Sequence, residues 1–425
     1  MTAIVGVLNR RGVAFAADSA ATHTTTMGRK ISNNANKIFS LSKYHPVGVA
    51  LYNNIDFMGV PWDSIIKQYR NSLKDKKYDS LQDYVKPFFA FVRSYCLKDL
   101  NANQSNYIKN LTAGYYKNIQ AEVVSTVGEK LCDVNAEVYF RAFIARLEKD
   151  IKTLGKEKSE DFVGYKLQDF EKYAKSDVDA VLSSILVHPK LPQDFRETFV
   201  EALYSFVAQK GHVYLNNDFT GLVFFGFGDK DIFPSLIEYH VTYAINNRIK
   251  YSFLQKQVID NSNIAVISPF AQSDVALTLV NAVDDELKRV FYNNHKQSVI
   301  GFRDEVVVQM KNANAPKGLI DILNGLNIDK YASDYIKSMD CYISQRYTKP
   351  LLVTISCLEK EDLADMAESL VRMTCLKRHV TNAEETVGGA VDVAIITKGD
   401  GFVWKKRKHY FDPDLNSQFF ERYKK

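Results

Sequence analysis

The chain has 425 residues, of which 46% are hydrophobic and 25% are charged, a composition typical of a soluble globular protein with a substantial core. Its net charge of +5 is too dilute over this length to indicate a nucleic-acid-binding protein. The five cysteines are odd in number and form no C-x-x-C pair, which favours reduced thiols over a disulfide framework.

The chain carries no signal that places it in a membrane or sends it across one. No stretch reaches the roughly 18 consecutive apolar residues of a membrane span. Arg10 and Arg11 precede an apolar run, as in an export signal, but the run is about six residues long and ends at Asp18. An export core needs roughly 7–15 residues. Together with reduced cysteines, this predicts a cytoplasmic protein.

The N-terminal part predicts an antiparallel β-meander followed by a helix. Apolar runs at 2–8 and 12–17 predict two buried strands joined by a tight turn, and shorter runs at 37–41 and 47–52 continue the pattern. Pro61 suits the first turn of a helix. The buried stripe of that helix would be formed by Ile65, Ile66, Tyr69 and Leu73.

The middle of the chain alternates between helical and strand-like patterns. Charged and apolar residues at helical spacing predict helices over 81–97, 134–154, 162–186 and 194–209. Strand-like runs at 219–228 and 235–243 then predict a β-hairpin. Residues 255–350 return to a helical pattern, which is clearest over 271–291.

The C-terminal part predicts a strand, a helix and a second strand. Residues 351–355 form a short apolar run, and Ser356 with Glu359 would make a capping box that opens a helix. One face of that helix would carry Leu363, Met366, Leu370 and Val371. An acidic residue, a hydroxyl residue, a glycine pair and a strand follow over residues 384–393.

Thr2 is the candidate nucleophile, because removal of Met1 would give it a free α-amino group. Its hydroxyl would attack, and its own amine, with an ordinary pKa near 7.7–8.0, would accept the proton at neutral pH. Such a site needs a cation beside the hydroxyl and a carboxylate to hold that cation. Lys37 and Asp18 are the right types, although the same two residues would also suit a buried structural ion pair.

These residues resemble a known family. Thr2, the Gly-Val-x-x-Ala-Ala-Asp run that ends at Asp18, and Asn36-Lys37-Ile38 resemble the opening of a proteasome β-type subunit or of the bacterial ATP-dependent protease peptidase subunit. Asp18 lies sixteen residues after Thr2, as in the family. Lys37 comes about three residues late, so the turn around 23–29 must be longer, and Ala20 replaces the family's arginine.

The resemblance implies an α+β fold and further site residues. The fold would be the four-layer αββα sandwich of N-terminal-nucleophile (Ntn) hydrolases, of proteasome β-subunit type, with two large helical insertions. The family's glycine that donates a backbone N–H to the developing oxyanion corresponds to Asn53, which tolerates left-handed geometry. The family's C-terminal aspartate aligns with Glu384 and its serine with Val387, beside Thr386. The serine after the central hairpin has no clear counterpart.

On this resemblance the chain divides into core segments, insertions and a tail. The Ntn core would comprise 1–80, the central hairpin 215–254 and the C-terminal part 350–404. Helices with an insertion would occupy 81–214, a second helical insertion would occupy 255–349, and a basic tail would occupy 405–425. In that tail, a solvated end of the last strand is favoured over a grip on a phosphate backbone.

The implied activity is that of a threonine-type endopeptidase, cleaving peptide bonds through a threonyl ester on Thr2. The substrate would be a peptide or unfolded protein, and the assembly a ring-like homo-oligomer. No phosphate-binding loop is found, so ATP-driven unfolding would require a separate ATPase partner. The eight histidines are dispersed without metal spacing, and we predict neither cofactor, metal, nucleic acid nor membrane partner.

Two other functions stay open. The unmatched serine and arginine positions would suit a catalytically inactive proteasome-like scaffold or binding subunit. The same nucleophile would also suit an Ntn amidase that acts on a small-molecule amide.

Overall fold

The computed structural model describes residues 2–25, 28–128, 136–186, 194–211, 218–381, 387–409 and 411–424, and they form an α+β protein. Its strands are β1 Ala3–Asn9, β2 Gly12–Ala17, β3 Ala21–Thr25, β4 Gly28–Ser32, β5 Ile38–Ser40, β6 Val47–Asn53, β7 Asp56–Phe57, β8 Val60–Pro61, β9 Thr220–Gly226, β10 Ser235–Ile245, β11 Arg248–Val258, β12 Ala265–Ala271, β13 Asp392–Thr397 and β14 Gly401–Lys406. Its α-helices are α1 Trp62–Leu73, α2 Val85–Cys96, α3 Asn101–Val127, α4 Ala136–Leu154, α5 Leu167–Ile185, α6 Phe195–Ala208, α7 Asp274–Asn281, α8 Asp285–Asn312, α9 Lys317–Asn324, α10 Ile328–Ile343, α11 Lys349–Ser356, α12 Lys360–Val380 and α13 Ser417–Lys424.

The chain forms two compact units. The first unit comprises Met1–Asn34, Ile259–Ile395 and Trp404–Lys425. The second unit comprises Ala35–Val258 and Ile396–Val403. Among the described helices, none combines the length and the apolar content needed to cross a membrane.

The first unit is built on a five-stranded sheet of order β12-β1-β2-β13-β14. Strand β1 is antiparallel to both β2 and β12, so that Val5 lies opposite Ala16 on one side and Pro269 on the other. Helix α12 packs on β1 and β2, where Leu363 and Val371 join the same buried cluster as Val5. All residues of β1 and β2 are buried, so both faces of these strands are covered.

The second unit is built on a five-stranded sheet of order β11-β10-β9-β6-β5. Strand β9 is antiparallel to β6 and to β10. One face of this sheet packs on α1 and α2, where Trp62 stacks on Phe88 and Phe88 contacts the strand residue Phe224 within one hydrophobic cluster. The Trp62 indole N–H donates to the Thr220 hydroxyl at 3.0 Å, which ties α1 to β9.

The second unit also holds a helical layer with its own core. Helices α3, α4, α5 and α6 share a buried cluster that is rich in phenylalanine and tyrosine. The sequence predicts α4, α5 and α6 closely but no helix over 101–127. That stretch contains asparagine, threonine and glycine, whose helix propensities are low, and its helix is stabilised by packing of Ile108, Leu111 and Tyr115.

Three sequence predictions are wrong. Residues 255–258 belong to β11 and residues 265–271 to β12, where a helix is predicted, because β12 pairs with the distant strand β1. Residues 351–355, predicted as a strand, lie in α11, where Ile355 joins the core of the first unit. Helix α12 begins at Lys360 without a side-chain cap rather than with the predicted capping box.

Candidate functional site

Thr2 directly precedes β1, and β1 lies between two antiparallel neighbours, β2 and β12. Its side chain is buried, and its carbonyl accepts a hydrogen bond from Gln272 N–H at 3.1 Å, just beyond β12. The position of Thr2 is therefore set by the pairing of β1 with β12 in the first unit.

Asp18 follows β2 and connects three backbone segments of the first unit. Its Oδ1 accepts a hydrogen bond from Ala3 N–H at 2.9 Å, and its Oδ2 accepts from Ala20 N–H at 3.2 Å and from Gly388 N–H at 3.0 Å. The Asp18 N–H donates in turn to the Ala3 carbonyl at 3.1 Å. Asp18 is thus held, in both directions, against the residue that follows Thr2.

The glycine pair predicted near the C terminus lies against this carboxylate. The Gly388 carbonyl accepts a hydrogen bond from Ser19 N–H at 3.0 Å, and the Ser19 hydroxyl donates to the Ala390 carbonyl. Gly389 has a φ of +76°, and a Cβ there would lie 3.0 Å from the Asn33 carbonyl oxygen. A side chain at 389 would therefore be strained by both the backbone and its surroundings.

Three other residues of the run 384–393 align with, or lie beside, the family's C-terminal site residues: Glu384, Thr386 and Val387. Val387 is buried in the core of the first unit, so the position aligned with the family's serine holds an apolar side chain. Glu384 and Thr386 lie outside the described residues. The role predicted for Glu384 stays a prediction.

A hairpin of β3 and β4 lies where the sequence resemblance expects a longer turn before Lys37. Strands β3 and β4 pair from Ala21 opposite Ser32 to Thr25 opposite Gly28, within the first unit. The sequence predicts a longer turn around 23–29, and residues 26–27 lie outside the described residues.

Lys37 lies in the second unit, directly before β5, and only 1% of it is exposed. Its carbonyl accepts a hydrogen bond from Leu51 N–H at 2.9 Å, and the neighbouring Asn36 donates to the Asp63 carboxylate of α1 at 2.9 Å. Lysine is almost never buried this fully unless its ammonium group is paired.

Asn53 ends β6 in the second unit with a φ of +67°, the left-handed conformation that its residue type tolerates. Its side-chain amide donates to the Phe219 carbonyl at 2.8 Å, which ties the end of β6 to the start of β9. The oxyanion role predicted for its backbone N–H stays a prediction.

A buried polar cluster beside Asn53 was missed by the sequence analysis. The Tyr52 hydroxyl donates to the Glu238 carboxylate and lies 2.6 Å from His240 Nε2, while Gln255 donates to the other Glu238 oxygen at 2.6 Å. Burial opposes ionisation, but hydrogen bonds from His240, Tyr52 and Gln255 together lower the pKa of Glu238. The sequence signal for this cluster is the pair Glu238 and His240, two polar residues on the same face of a mostly apolar strand.

A second buried charge lies on β11. Lys250 is buried in the second unit, and its ammonium group donates to the Gln209 carbonyl. Burial lowers the pKa of Lys250 to about 8. Within the residues that the structure describes, no group of three or more His, Cys, Asp or Glu side chains is arranged to hold a metal ion.

The basic run 405–408, at the end of β14, forms ion pairs within the first unit. Lys405 pairs with Asp365 at 2.6 Å and Lys406 with Glu368 at 2.6 Å, both on α12. Lys408 pairs with Asp392 at the start of β13. Lys405 and Lys406 therefore fasten β14 to α12, and Lys408 fastens the segment after β14 to β13, whereas the sequence favours a solvated strand end.

The comparisons with known proteins assign no family. No protein-family model matches the chain, and no curated protein matches it. Among solved structures, the chain is similar to a structure titled as an Anbu (Gly-1) mutant from Hyphomicrobium sp. strain MC1. The two are 8% identical, the alignment covers 100% of this chain and 95% of that chain, and the TM-score is 0.30. A likeness at that TM-score assigns neither a fold nor an activity to the chain.

Proposed function

We propose that the chain is an Ntn hydrolase of proteasome β-like type, which cleaves peptide bonds with Thr2 as its nucleophile. The observation that supports this most is the buried Asp18 carboxylate. It accepts the N–H of Ala3, next to Thr2, and the N–H of Gly388, in the glycine pair of the run 384–393. Both segments of the family resemblance thus meet at the residue that the resemblance assigns to the site.

The reaction would begin when Met1 is removed. The Thr2 hydroxyl oxygen attacks the scissile carbonyl carbon, and its proton passes to the α-amine of the same residue. The tetrahedral intermediate then expels the leaving amine, which takes a proton, and a threonyl ester remains. The freed α-amine deprotonates a water molecule, which attacks the ester and releases the acid product.

Lys37 and Asp18 would prepare the nucleophile. The mechanism requires the Lys37 ammonium beside the Thr2 hydroxyl, where its charge would lower the pKa of that hydroxyl. Asp18 would orient the lysine. The deep burial of Lys37 supports a paired ammonium group, since an unpaired buried charge is strongly unfavourable.

Asn53 and Glu384 would complete the site. The left-handed conformation of Asn53 suits the position where the family uses a glycine N–H to stabilise the oxyanion. Glu384 would help to orient the terminal amine, in the place of the family's aspartate.

The proposed fold is the four-layer αββα sandwich. Each sheet has helices on one face and strands whose second face is also buried, which is what each half of such a sandwich would supply. Its core would draw on segments 1–80, 215–254 and 350–404, together with β12, which pairs with β1.

The test combines a mass measurement with matched variants. Protein made from the native start codon should be lighter by one methionine in intact-mass spectrometry. Wild type should cleave members of a fluorogenic peptide library, and Thr2→Ala should lose this activity, whereas Thr2→Ser, which keeps a hydroxyl and an amine, should retain part of it. Lys37→Met should be inactive, with Lys67→Met, at a half-buried surface position, as the control.

An inactive scaffold is the second candidate, and the buried Val387 favours it, because the family's serine hydroxyl is absent there. Retained Met1 together with no cleavage of any peptide would support the scaffold and refute the hydrolase. Cleavage of a small amide by wild type but not by Thr2→Ala, with no peptide cleaved, would instead support an Ntn amidase.

A further inference from the structure

Residues 274–356 of the first unit form a set of helices with almost no core of their own, and we call them the helical arm. Helix α8 spans 28 residues and buries only Val307, while α9 buries none and α10 buries Ile328 and Ala332. Helices α9 and α10 both pack on α8. An amphipathic helix is stable when its apolar stripe is buried, so these helices lack most of the burial they need.

The helical arm instead exposes its large apolar side chains. Fourteen of them are at least 38% exposed over residues 274–356, whereas the described part of residues 2–258 has eight such side chains over a much longer stretch. On α8, Phe291 and Phe302 are eleven residues apart, which is about three helical turns, so they share a face. On α10, Tyr331 and Tyr342 have the same spacing.

Summed over the helical arm, the exposed apolar area is comparable with one side of a protein interface. A large aromatic side chain presents about 150–250 Å², and an aliphatic one presents less. Fourteen such side chains, about half exposed, therefore leave on the order of 1,000 Å² in solvent. One side of a standard protein interface buries about 800 Å².

The charges of the helical arm identify what kind of partner fits it. Residues 274–356 contain ten basic and ten acidic side chains, so the arm has no net charge. Several of these pair within the arm, such as Lys288 with Asp340 and Lys296 with Asp329 at 2.5 Å. A neutral surface rich in phenylalanine and tyrosine suits neither nucleic acid nor an anionic membrane, but it is typical of a protein interface.

We propose that the helical arm is the surface through which two copies of this chain associate. A twofold contact places the same patch against itself, so the patch must be self-complementary. The arm is apolar and carries no net charge, so two copies would not repel each other there. It lies outside the segments that carry the family resemblance, and the proposal does not depend on whether Thr2 is catalytic.

The test is the molar mass of the full chain in solution. Wild type should sediment at a multiple of 48.4 kDa at micromolar concentration and dissociate on dilution. A triple variant of side chains that are 71%, 65% and 62% exposed, Phe302→Asp, Ile322→Asp and Tyr342→Asp, should remain at 48.4 kDa. The control Ile232→Asp, at a 79% exposed position of the second unit, should behave as wild type.

Three results would overturn the proposal. The first is a wild type that stays a monomer at every concentration. The second is a triple variant that keeps the mass of wild type, and the third is a wild type that gains mass only when a different protein is added. Should the triple variant lose its far-UV circular dichroism, hydrogen exchange of wild type decides. Amides of residues 285–343 should exchange faster on dilution, and exchange that is independent of concentration refutes the contact.

Discussion

The change of Asp18 to asparagine tests whether this carboxylate joins the two segments of the candidate site. Asp18 accepts one N–H on Oδ1 and two on Oδ2. Asparagine keeps one oxygen and replaces the other with an amide nitrogen, which cannot accept. At least one donor is therefore left unpaired if the nitrogen replaces Oδ1, and at least two if it replaces Oδ2.

The expected magnitude follows from the cost of a buried unpaired donor, which is about 1–3 kcal/mol. Because Asp18 is almost fully buried, water cannot replace the lost acceptor. We expect Asp18→Asn to lower the free energy of unfolding by about 2 kcal/mol. On the proposed mechanism the same variant would also lose peptidase activity, because the carboxylate that orients Lys37 is gone.

Urea unfolding followed by circular dichroism measures this loss. The control is Asp400→Asn, in an exposed turn where the carboxylate accepts from the Thr397 hydroxyl, and it should change the free energy of unfolding by less than about 0.5 kcal/mol. If Asp18→Asn is as stable as wild type, the three N–H groups do not depend on the carboxylate. The account of the site would then be wrong.

Three further predictions concern the surrounding fold. Burial lowers the pKa of Lys250 to about 8. Between about pH 8 and pH 10 the unfolded chain therefore binds more protons than the folded chain. The free energy of unfolding of wild type should rise with pH over this range by up to about 3 kcal/mol relative to Lys250→Met. If urea unfolding gave wild type and Lys250→Met the same dependence of unfolding free energy on pH, this prediction would be refuted. Gly389→Ala should lower stability by at least about 1 kcal/mol because of its positive φ, whereas Gly399→Ala, with nothing within 4 Å of its added Cβ, should change the melting temperature little. Tyr52→Phe removes a hydrogen bond that lowers the pKa of Glu238. The loss of unfolding free energy should therefore be largest at neutral pH and shrink below about pH 4, near the ordinary pKa of glutamate, and a pH-independent loss would contradict this.

The sequence predicted those elements whose signal is local. Strands β1 and β2 are uninterrupted apolar runs joined by a short turn, and the stripe of α1 follows helical spacing, so both were read correctly. The run over 351–355 was misread because a short apolar stretch suits a strand or a buried helix equally well. Helix α3 was missed because its residue types have low helix propensity and only packing stabilises them.

The residue types of the candidate site can be predicted from the sequence, because Thr2, Asp18 and Lys37 stand next to predicted strands and Asp18 lies at the family's spacing from Thr2. Their surroundings were not. The N–H of Gly388 reaches Asp18 across 370 residues, and the Tyr52 hydroxyl reaches Glu238 across 186 residues. Contacts of that kind depend on strand register and loop conformation, which are set when the sheets assemble. Sequence periodicity records which face of a strand is apolar, but only the tertiary structure decides which distant polar group that face will meet.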